Sequence, residues 1–180
     1  MKHNVNRRHA VVQPLDQSIK IIPLTRGLNA YVSAEDFSKL NQCLWYPVPS
    51  RTTSNIYAAR YENDKDGNRR IIQMHREILK SDGDIDHIDG NGLNNVRSNL
   101  RPSTDSQNGG NRKKPRNNTS GYKGISANGP NWKAQVQLNG EKIYCGTYKD
   151  ILDAVRAYDR KAIELFGEFA RTNFPRSNYE

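Results

Sequence analysis

The stretch WKAQVQLNGEKIYC (132–145) constrains the fold most tightly, because it alternates between apolar and polar residues on both sides of a turn signal. Such alternation is typical of strands with one buried face, and Asn139-Gly140 is a strong hairpin signal. One face carries the apolar side chains of Trp132, Ala134, Val136, Leu138, Ile143 and Cys145. The opposite face carries Lys133, Gln135, Gln137, Lys142 and Tyr144.

The residues after this hairpin predict a helix that covers the apolar face. Asp150 can cap the helix, Gly167 is placed to end it, and its apolar side chains form one stripe. The stripe consists of residues 151, 154, 155, 158, 162, 165 and 166. With a first strand near residues 122–126, the pattern predicts a small three-stranded antiparallel sheet packed on one helix.

The first half of the chain predicts a mixture of short strands and short helices, so the fold class is α+β. Strands are expected over 19–24 and 30–33, and a hairpin over 56–61 and 69–74. A helix is expected from a capping box of Ser33 and Asp36 through Leu40, with another over 74–80. A third, polar helix is expected from a cap at Ser103 or Thr104 to Gly109-Gly110.

The charge balance predicts a polyanionic partner. The chain has 28 Lys and Arg against 19 Asp and Glu, a net charge of +9 and a pI near 9.6, and such an excess commonly meets nucleic acid. Residues 109–119 read as a flexible basic linker. The long donors on the polar sheet face suit base edges and phosphates in a major groove, so the predicted partner is double-stranded DNA.

Other classes of protein are disfavoured by composition. Only 34% of residues are hydrophobic and mean hydropathy is -0.92, with no apolar run of about 20 residues for a membrane span and no apolar signal-peptide core. We therefore expect an intracellular, cytoplasmic protein with no membrane partner. Cys43 and Cys145 lack the spacing of a zinc site or a disulfide framework.

The segment DIDHIDGNGLNN (84–95) allows three interpretations: a calcium loop, a polar surface loop or a metal-assisted catalytic hairpin. A calcium loop with Gly90 at its sixth position would place Ile85 first and Val96 last, and neither side chain can bind calcium. A polar loop is the default for any stretch rich in Asn and Gly. The segment by itself does not decide between the two that remain.

Two longer segments carry family resemblances. MHREIL (74–79) with DIDHIDGNGLNNVRSNLRPSTDSQNGGN (84–111) resembles the phage HNH homing endonucleases, which use a hairpin and a helix as a ββα-metal site. The segment from TSGYKGIS (119–126) to FARTNFP (169–175) is similar to the plant ethylene-response-factor (APETALA-type) DNA-binding domain, which also occurs fused to phage HNH enzymes. The resemblances imply an HNH nuclease domain with an N-terminal extension over 1–108, a basic linker over 109–119 and a DNA-binding domain over 120–176.

The HNH resemblance also assigns roles. Asp86 and His87 match the family's Asp-His pair, Asn99 its middle asparagine, and Asn108 its last position, which makes this an HNN variant. His87 is then the general base, since a neutral imidazole can take a proton from water. Asp86 and Asn108 offer hard oxygen ligands to one Mg²⁺, for which Mn²⁺ can substitute, and Asn99 pins the intervening loop and so orients His87.

Further residues are assigned supporting or binding roles. His75, Arg97 and Arg101 are candidate supports of the site. The two arginines flank Asn99, where either phosphate contacts or plain solvated positions fit the sequence. Turn-forming roles are expected for Asp89, Asn91, Asn94 and Asn95. DNA contacts are expected from Arg112, Lys113, Lys114 and Arg116 in the linker, and from Lys123, Lys133, Gln135, Gln137, Lys142 and Tyr144.

The sequence therefore predicts a monomeric, site-specific DNA endonuclease of the homing type that leaves a 5′-phosphate and a 3′-hydroxyl. The alternative is a non-catalytic DNA-binding regulator that keeps the HNH fold as a scaffold, although a scaffold has no need of all four site residues. An RNA-binding protein is a weaker alternative, since the sheet lacks exposed aromatic stacking pairs.

Overall fold

Short strands and helices make up the protein, a computed structural model of which describes residues 9–50, 55–81 and 83–180. The strands are β1 (Ile19–Pro23), β2 (Asn29–Ser33), β3 (Tyr46–Pro49), β4 (Ile56–Asn63), β5 (Arg69–Gln73), β6 (Asp84–His87), β7 (Asn94–Asn95), β8 (Leu100–Ser103), β9 (Ile125–Asn128), β10 (Asn131–Leu138) and β11 (Glu141–Tyr148). The α-helices are α1 (Ala34–Leu40), α2 (Met74–Leu79), α3 (Asp105–Asn111) and α4 (Ile151–Phe166). None of the helices described is long and apolar enough to cross a membrane.

Contacts divide the chain into two units, Met1–Pro102 and Ser103–Glu180. The first unit contains the sheets β1-β2-β7, β3-β4-β5 and β6-β8. β7 joins its sheet parallel to β2, with Asn95 opposite Val32, which fixes the end of the loop that follows β6. The unit's buried apolar cluster comprises Ile22, Leu24, Ala30, Val32, Leu40, Trp45, Ala58, Met74, Ile78, Ile85 and Leu100.

The second unit has the predicted three-stranded antiparallel sheet, in the order β11-β10-β9, with α4 packed on its apolar face. Asn139 (φ 51°) and Gly140 (φ 87°) turn the hairpin with positive φ at both positions, as a two-residue type I′ turn requires. The register shifts between Ala134 and Gln135, and Cys145 is the extra residue of this bulge. The buried side chains of the unit are Ile125, Ala134, Val136, Ala154, Val155, Tyr158, Ala162, Phe166 and Phe169.

The helix caps show where local pattern was sufficient and where it was not. Asp150 caps α4 by accepting the N–H of Leu152, as predicted. The capping box predicted at Ser33 is wrong: α1 forms, but Ser33 Oγ accepts the backbone N–H of Arg97 at 2.9 Å instead.

The polar helix α3 differs from its prediction at its C-terminal end. Thr104 and Gln107 form a capping box, and the helix then continues to Asn111 instead of ending at Gly109-Gly110. Gly110 is buried so closely against Phe166 that a Cβ would lie 2.6 Å from the ring. The first three residues of the predicted linker are therefore helical and packed in the second unit.

Candidate active site

β6 presents Asp86 and His87 in succession, so their side chains point to opposite faces of the strand. Both are buried, with 6% and 4% of their surface exposed. Burial of two adjacent polar side chains requires a partner on each face.

On the His87 face, three rings pack together. The ring of His75, from α2, lies edge-on to His87 with centroids 5.0 Å apart, and Tyr57, from β4, lies 5.5 Å from His75 and 5.7 Å from His87. Asn95 Oδ1 lies 3.4 Å from His87 Nε2. His75 Nδ1 is buried and has no hydrogen-bond partner among the described residues.

This apolar packing keeps both imidazoles neutral. Burial lowers the pKa of His75 to about 3, with His87 contributing in the same direction. Burial also lowers the pKa of His87, against the opposing effects of Asn95, Asp89 and Asp86. A neutral imidazole at physiological pH is the form that can accept a proton.

Asn99 holds the loop that follows β6. Its Oδ1 accepts the backbone N–H of Asp89 at 3.0 Å, and its Nδ2 donates to the carbonyl oxygen of Asn94 at 2.8 Å and to the Asp89 carboxylate at 3.0 Å. The backbone N–H of Ile88 donates to the Asn99 carbonyl oxygen at 2.9 Å. The residue directly after His87 is thus tied to Asn99, and this limits the movement of His87.

The loop is also closed from within. The Asp89 carboxylate accepts the backbone N–H of Asn91 at 2.7 Å and Nδ2 of Asn94 at 2.8 Å. Burial would raise the pKa of Asp89, but the hydrogen bonds from Asn94, Asn91 and Asn99 outweigh it and lower that pKa. Asp89, Asn91 and Asn94 therefore make the short-range bonds expected of turn formers.

Gly92 lets this loop approach the ring cluster. A Cβ at this position would lie 2.5 Å from the carbonyl oxygen of Ile56 and 2.6 Å from Cδ1 of Tyr57. Only a residue without a side chain fits there, because backbone and aromatic ring leave no space.

On the opposite face of β6, Asp86 is paired with an arginine from the neighbouring strand β8. Arg101 donates Nε and Nη2 to Asp86 Oδ2 at 3.0 and 2.8 Å. Arg97 donates to Asp36 at 2.8 and 2.7 Å and pairs with Glu35. The two arginines thus bind carboxylates of the protein, whereas phosphate contacts were one of the roles that the sequence suggested.

In the second unit, the polar sheet face is formed as predicted by alternation. Gln135 lies opposite Tyr144, and Gln137 opposite Lys142. Gln137, Lys142 and Tyr144 are exposed, and Lys133 and Gln135 are half-buried. The bulge at Cys145 shifts the alternation along β11 by one residue, so Thr147 also lies on this face. Thr147 pairs with Lys133 and accepts the hydroxyl of Tyr144 at 2.9 Å. These six residues are called the polar sheet face below.

Lys123 was expected on the first strand of this face, and that placement is wrong. β9 begins at Ile125, and the Lys123 ammonium donates at 2.6 Å to the carbonyl oxygen of Gly110, in the last turn of α3. Burial, together with Arg171, lowers its pKa to about 8. A lysine that satisfies a helix C-terminus in this way is not presented to a ligand on the sheet.

The basic residues that follow α3 are placed differently. Arg112, Lys113, Lys114 and Arg116 are all exposed. Lys114 donates to the carbonyl oxygen of Gly121 at 2.6 Å. The run therefore keeps its charge at the surface.

Comparison with known proteins identifies the family. No protein-family model matches the chain. An uncharacterized HNH endonuclease of Acanthamoeba polyphaga mimivirus is 35% identical over 156 residues, which are 82% of this chain and 76% of that protein. The chain belongs to the HNH endonuclease family.

Two further similarities cover parts of this HNH protein. Protein 3.8 of Escherichia phage T7 is 40% identical over 89 residues, which are 48% of this chain and 73% of that protein. APETALA2-like protein 2 of Oryza sativa, in both the indica and the japonica subspecies, is 35% identical over 71 residues. That match covers 38% of this chain and 16% of the plant protein.

The structure places three of the four predicted HNH residues in the first unit. Asp86 and His87 lie on β6, and Asn99 lies just before β8. Asn108 is half-buried on α3, in the second unit. Along the chain β6 is followed by β7, β8 and α3.

The donor set fits a hard divalent cation in kind, since it offers a carboxylate oxygen and an amide oxygen. The described residues contain no group of three or more His, Cys, Asp or Glu that could hold a metal ion. Arg101 already occupies Oδ2 of Asp86, so a cation at this carboxylate must compete with a guanidinium.

Asn95 is the site residue that sequence reasoning missed. It was expected to form a turn, but it lies in β7, is fully buried and faces His87. The only sequence signal for this role was that Asn95 follows another asparagine. Asn94 closes the loop, and Asn95 points inward to His87.

Proposed function

We propose that this HNH protein is a DNA endonuclease of the homing type, in which His87 is the general base. The observation that carries the proposal is a buried imidazole held neutral on β6 beside a buried carboxylate, in a loop that Asn99 fixes. These are the elements that metal-assisted hydrolysis of a phosphodiester needs.

The reaction follows from these residues. If the Nε2 hydrogen of His87 is directed at Asn95 Oδ1, the lone pair remains on Nδ1, which accepts a proton from water. The water oxygen bonds to phosphorus as the bond from phosphorus to the 3′-oxygen breaks. The 3′-oxygen then takes a proton from solvent water, which leaves a 5′-phosphate and a 3′-hydroxyl. Asp86 and Asn108 would hold one Mg²⁺, or Mn²⁺ in its place, which when bound neutralises charge on the phosphate and the leaving oxygen.

The second unit would select or anchor the DNA site. The polar sheet face offers long donors and acceptors at alternating positions, which suit the base edges of a major groove. The polar sheet face carries Lys and Gln and no Arg, so we expect looser base preference than a set of bidentate arginines gives. Arg112, Lys113, Lys114 and Arg116 would follow the DNA backbone.

We propose a functional division into a nuclease domain (1–108), a basic linker (109–119) whose first three residues continue α3, and a DNA-binding domain (120–176), with the protein acting as a monomer. The rival function is a DNA-binding regulator that does not cut. One observation favours it: the carboxylate of Asp86 is already neutralised by Arg101.

A cleavage assay with matched histidine variants separates the two functions. His87→Ala should cut supercoiled plasmid ~10²–10⁴-fold more slowly, the usual contribution of a general base, and should bind duplex as the wild type does. His9→Ala is the control, since His9 contacts Asn29 and lies outside the ring cluster. Cleavage by His87→Ala at the wild-type rate would remove His87 as the base, and binding without any cleavage by the wild type would favour the regulator.

A further inference from the structure

The pairing of Asp86 with Arg101 is more than a surface ion pair. Both N–H donors of the guanidinium edge reach the same carboxylate oxygen, and the two side chains are 7% and 15% exposed. Burying a carboxylate to this degree is unfavourable unless an opposite charge lies beside it. Arg101 supplies that charge.

A divalent cation and Arg101 make opposing demands on Asp86. Arg101 binds Oδ2 of Asp86, and a metal ion at either carboxylate oxygen would have to share the same single negative charge. If both cations stayed at the carboxylate, positive charges would lie close together in a region of low dielectric, which is unfavourable. A phosphodiester brings the missing negative charge, and phosphate accepts the planar fork of a guanidinium as well as a carboxylate does.

We propose that Arg101 is a positioning residue that occupies Asp86 in the free protein and transfers to a DNA phosphate when a divalent ion binds. This inference rests on the proposed function, because it takes Asp86 as the metal ligand. It makes the binding of metal and DNA mutually favourable, and a coupling of this kind acts equally in both directions.

Mn²⁺ binding to the full chain tests the proposal without an activity readout. The electron paramagnetic resonance signal of the free ion measures that binding. Binding is measured with Mn²⁺ alone and with a short mixed-sequence duplex, in a His87→Ala background that preserves the duplex. In the protein with Arg101, the duplex should tighten Mn²⁺ binding within the range of about 5- to 150-fold that is typical of coupled sites. Arg101→Gln should bind Mn²⁺ more tightly than the protein with Arg101 when DNA is absent. The ratio of Mn²⁺ affinity with duplex to affinity without duplex should therefore be smaller in this variant.

Two further variants guard the interpretation. Arg76→Gln is the matched control. Arg76, on α2, pairs at 3.2 Å and at the surface with Asp84, which lies on the same strand as Asp86. This variant should leave Mn²⁺ binding unchanged. Arg101→Lys keeps the charge but loses the second donor, so it should tighten Mn²⁺ binding in the same direction and to a smaller extent. It decides the question if Arg101→Gln does not fold, as judged by circular dichroism.

The outcomes are distinct. A merely structural arginine would weaken Mn²⁺ binding on removal, so equal or weaker binding in the Arg101 variants without DNA overturns the inference. If the Mn²⁺ measurements behave as stated but the wild type does not cut plasmid, the proposed function fails and the role of Arg101 stands. If the wild type cuts plasmid but the duplex leaves the Mn²⁺ affinity of the His87→Ala protein unchanged, only the role of Arg101 fails.

Discussion

Replacing His75 with phenylalanine should make the first unit less sensitive to acid. His75 is 5% exposed, its Nδ1 has no partner among the described residues, and burial lowers its pKa from 6.5 to about 3. Phenylalanine keeps the ring contacts with His87 and Tyr57 and removes no hydrogen bond of Nδ1. The variant should therefore be at least as stable as the wild type near neutral pH.

The size of the effect follows from proton linkage. In the unfolded chain a histidine binds a proton below about pH 6.5, whereas folded His75 stays neutral until about pH 3. The unfolded state thus binds more protons in this window, and the free energy of unfolding falls as the pH drops from 6.5 toward 3. At about 1.4 kcal/mol per pH unit, His75 costs about 2 kcal/mol at pH 5.

Urea unfolding at about pH 7.5 and about pH 5 measures this difference. Trp45 is fully buried in the first unit, and in a Trp132→Phe background its fluorescence reports on that unit alone. Between the two pH values, wild type should lose about 2 kcal/mol more than His75→Phe. Tyr57→Phe, which keeps both histidines, should lose as much as the wild type. An equal loss in His75→Phe and the wild type would show that His75 is not held neutral by burial.

Three other variants test the packing and the DNA surface. Asp159→Ala removes a fully buried carboxylate that accepts four hydrogen bonds from the C-terminal segment. Urea denaturation should show that the free energy of unfolding of the second unit falls by about 3 kcal/mol or more. A fall below about 1 kcal/mol would contradict the assigned network. Gly92→Ala forces a methyl group against Tyr57 and should cost about 1–3 kcal/mol and slow plasmid cleavage; unchanged thermal stability would refute the close approach. The double variant Gln137→Ala and Lys142→Ala should bind duplex more weakly at unchanged stability. The slope of log affinity against log salt concentration should become shallower by about 0.9 for a lost phosphate contact. An unchanged affinity across a salt series would exclude the polar sheet face as the DNA surface.

Sequence pattern was sufficient where a structure depends on neighbouring residues. The alternation from Trp132 to Leu138 and the Asn139-Gly140 turn determined the hairpin, and Asp150 determined the start of α4. Such signals act over a few positions, so a local reading of the sequence was enough to place these elements.

The pattern was insufficient where partners are distant along the chain. Ser33 lost its predicted cap to the backbone of Arg97, which lies 64 positions away, and Lys123 turned from the sheet to the carbonyl oxygen of Gly110. Arg101 beside Asp86 has the same origin, because strand pairing between β6 and β8 brings the two together. A resemblance could assign residues to the site, but it could not show which charge already occupies it.

The state of the cut DNA ends tests the central claim most directly. Wild-type protein is incubated with supercoiled plasmid and Mg²⁺ or with chelator, and the nicked product is then treated with DNA ligase, with and without prior phosphorylation. A metal-dependent HNH nuclease of the proposed mechanism gives nicks only with Mg²⁺, and ligase reseals them without phosphorylation because they carry a 5′-phosphate and a 3′-hydroxyl. Nicks that form equally in chelator, or that ligase reseals only after phosphorylation, would contradict it.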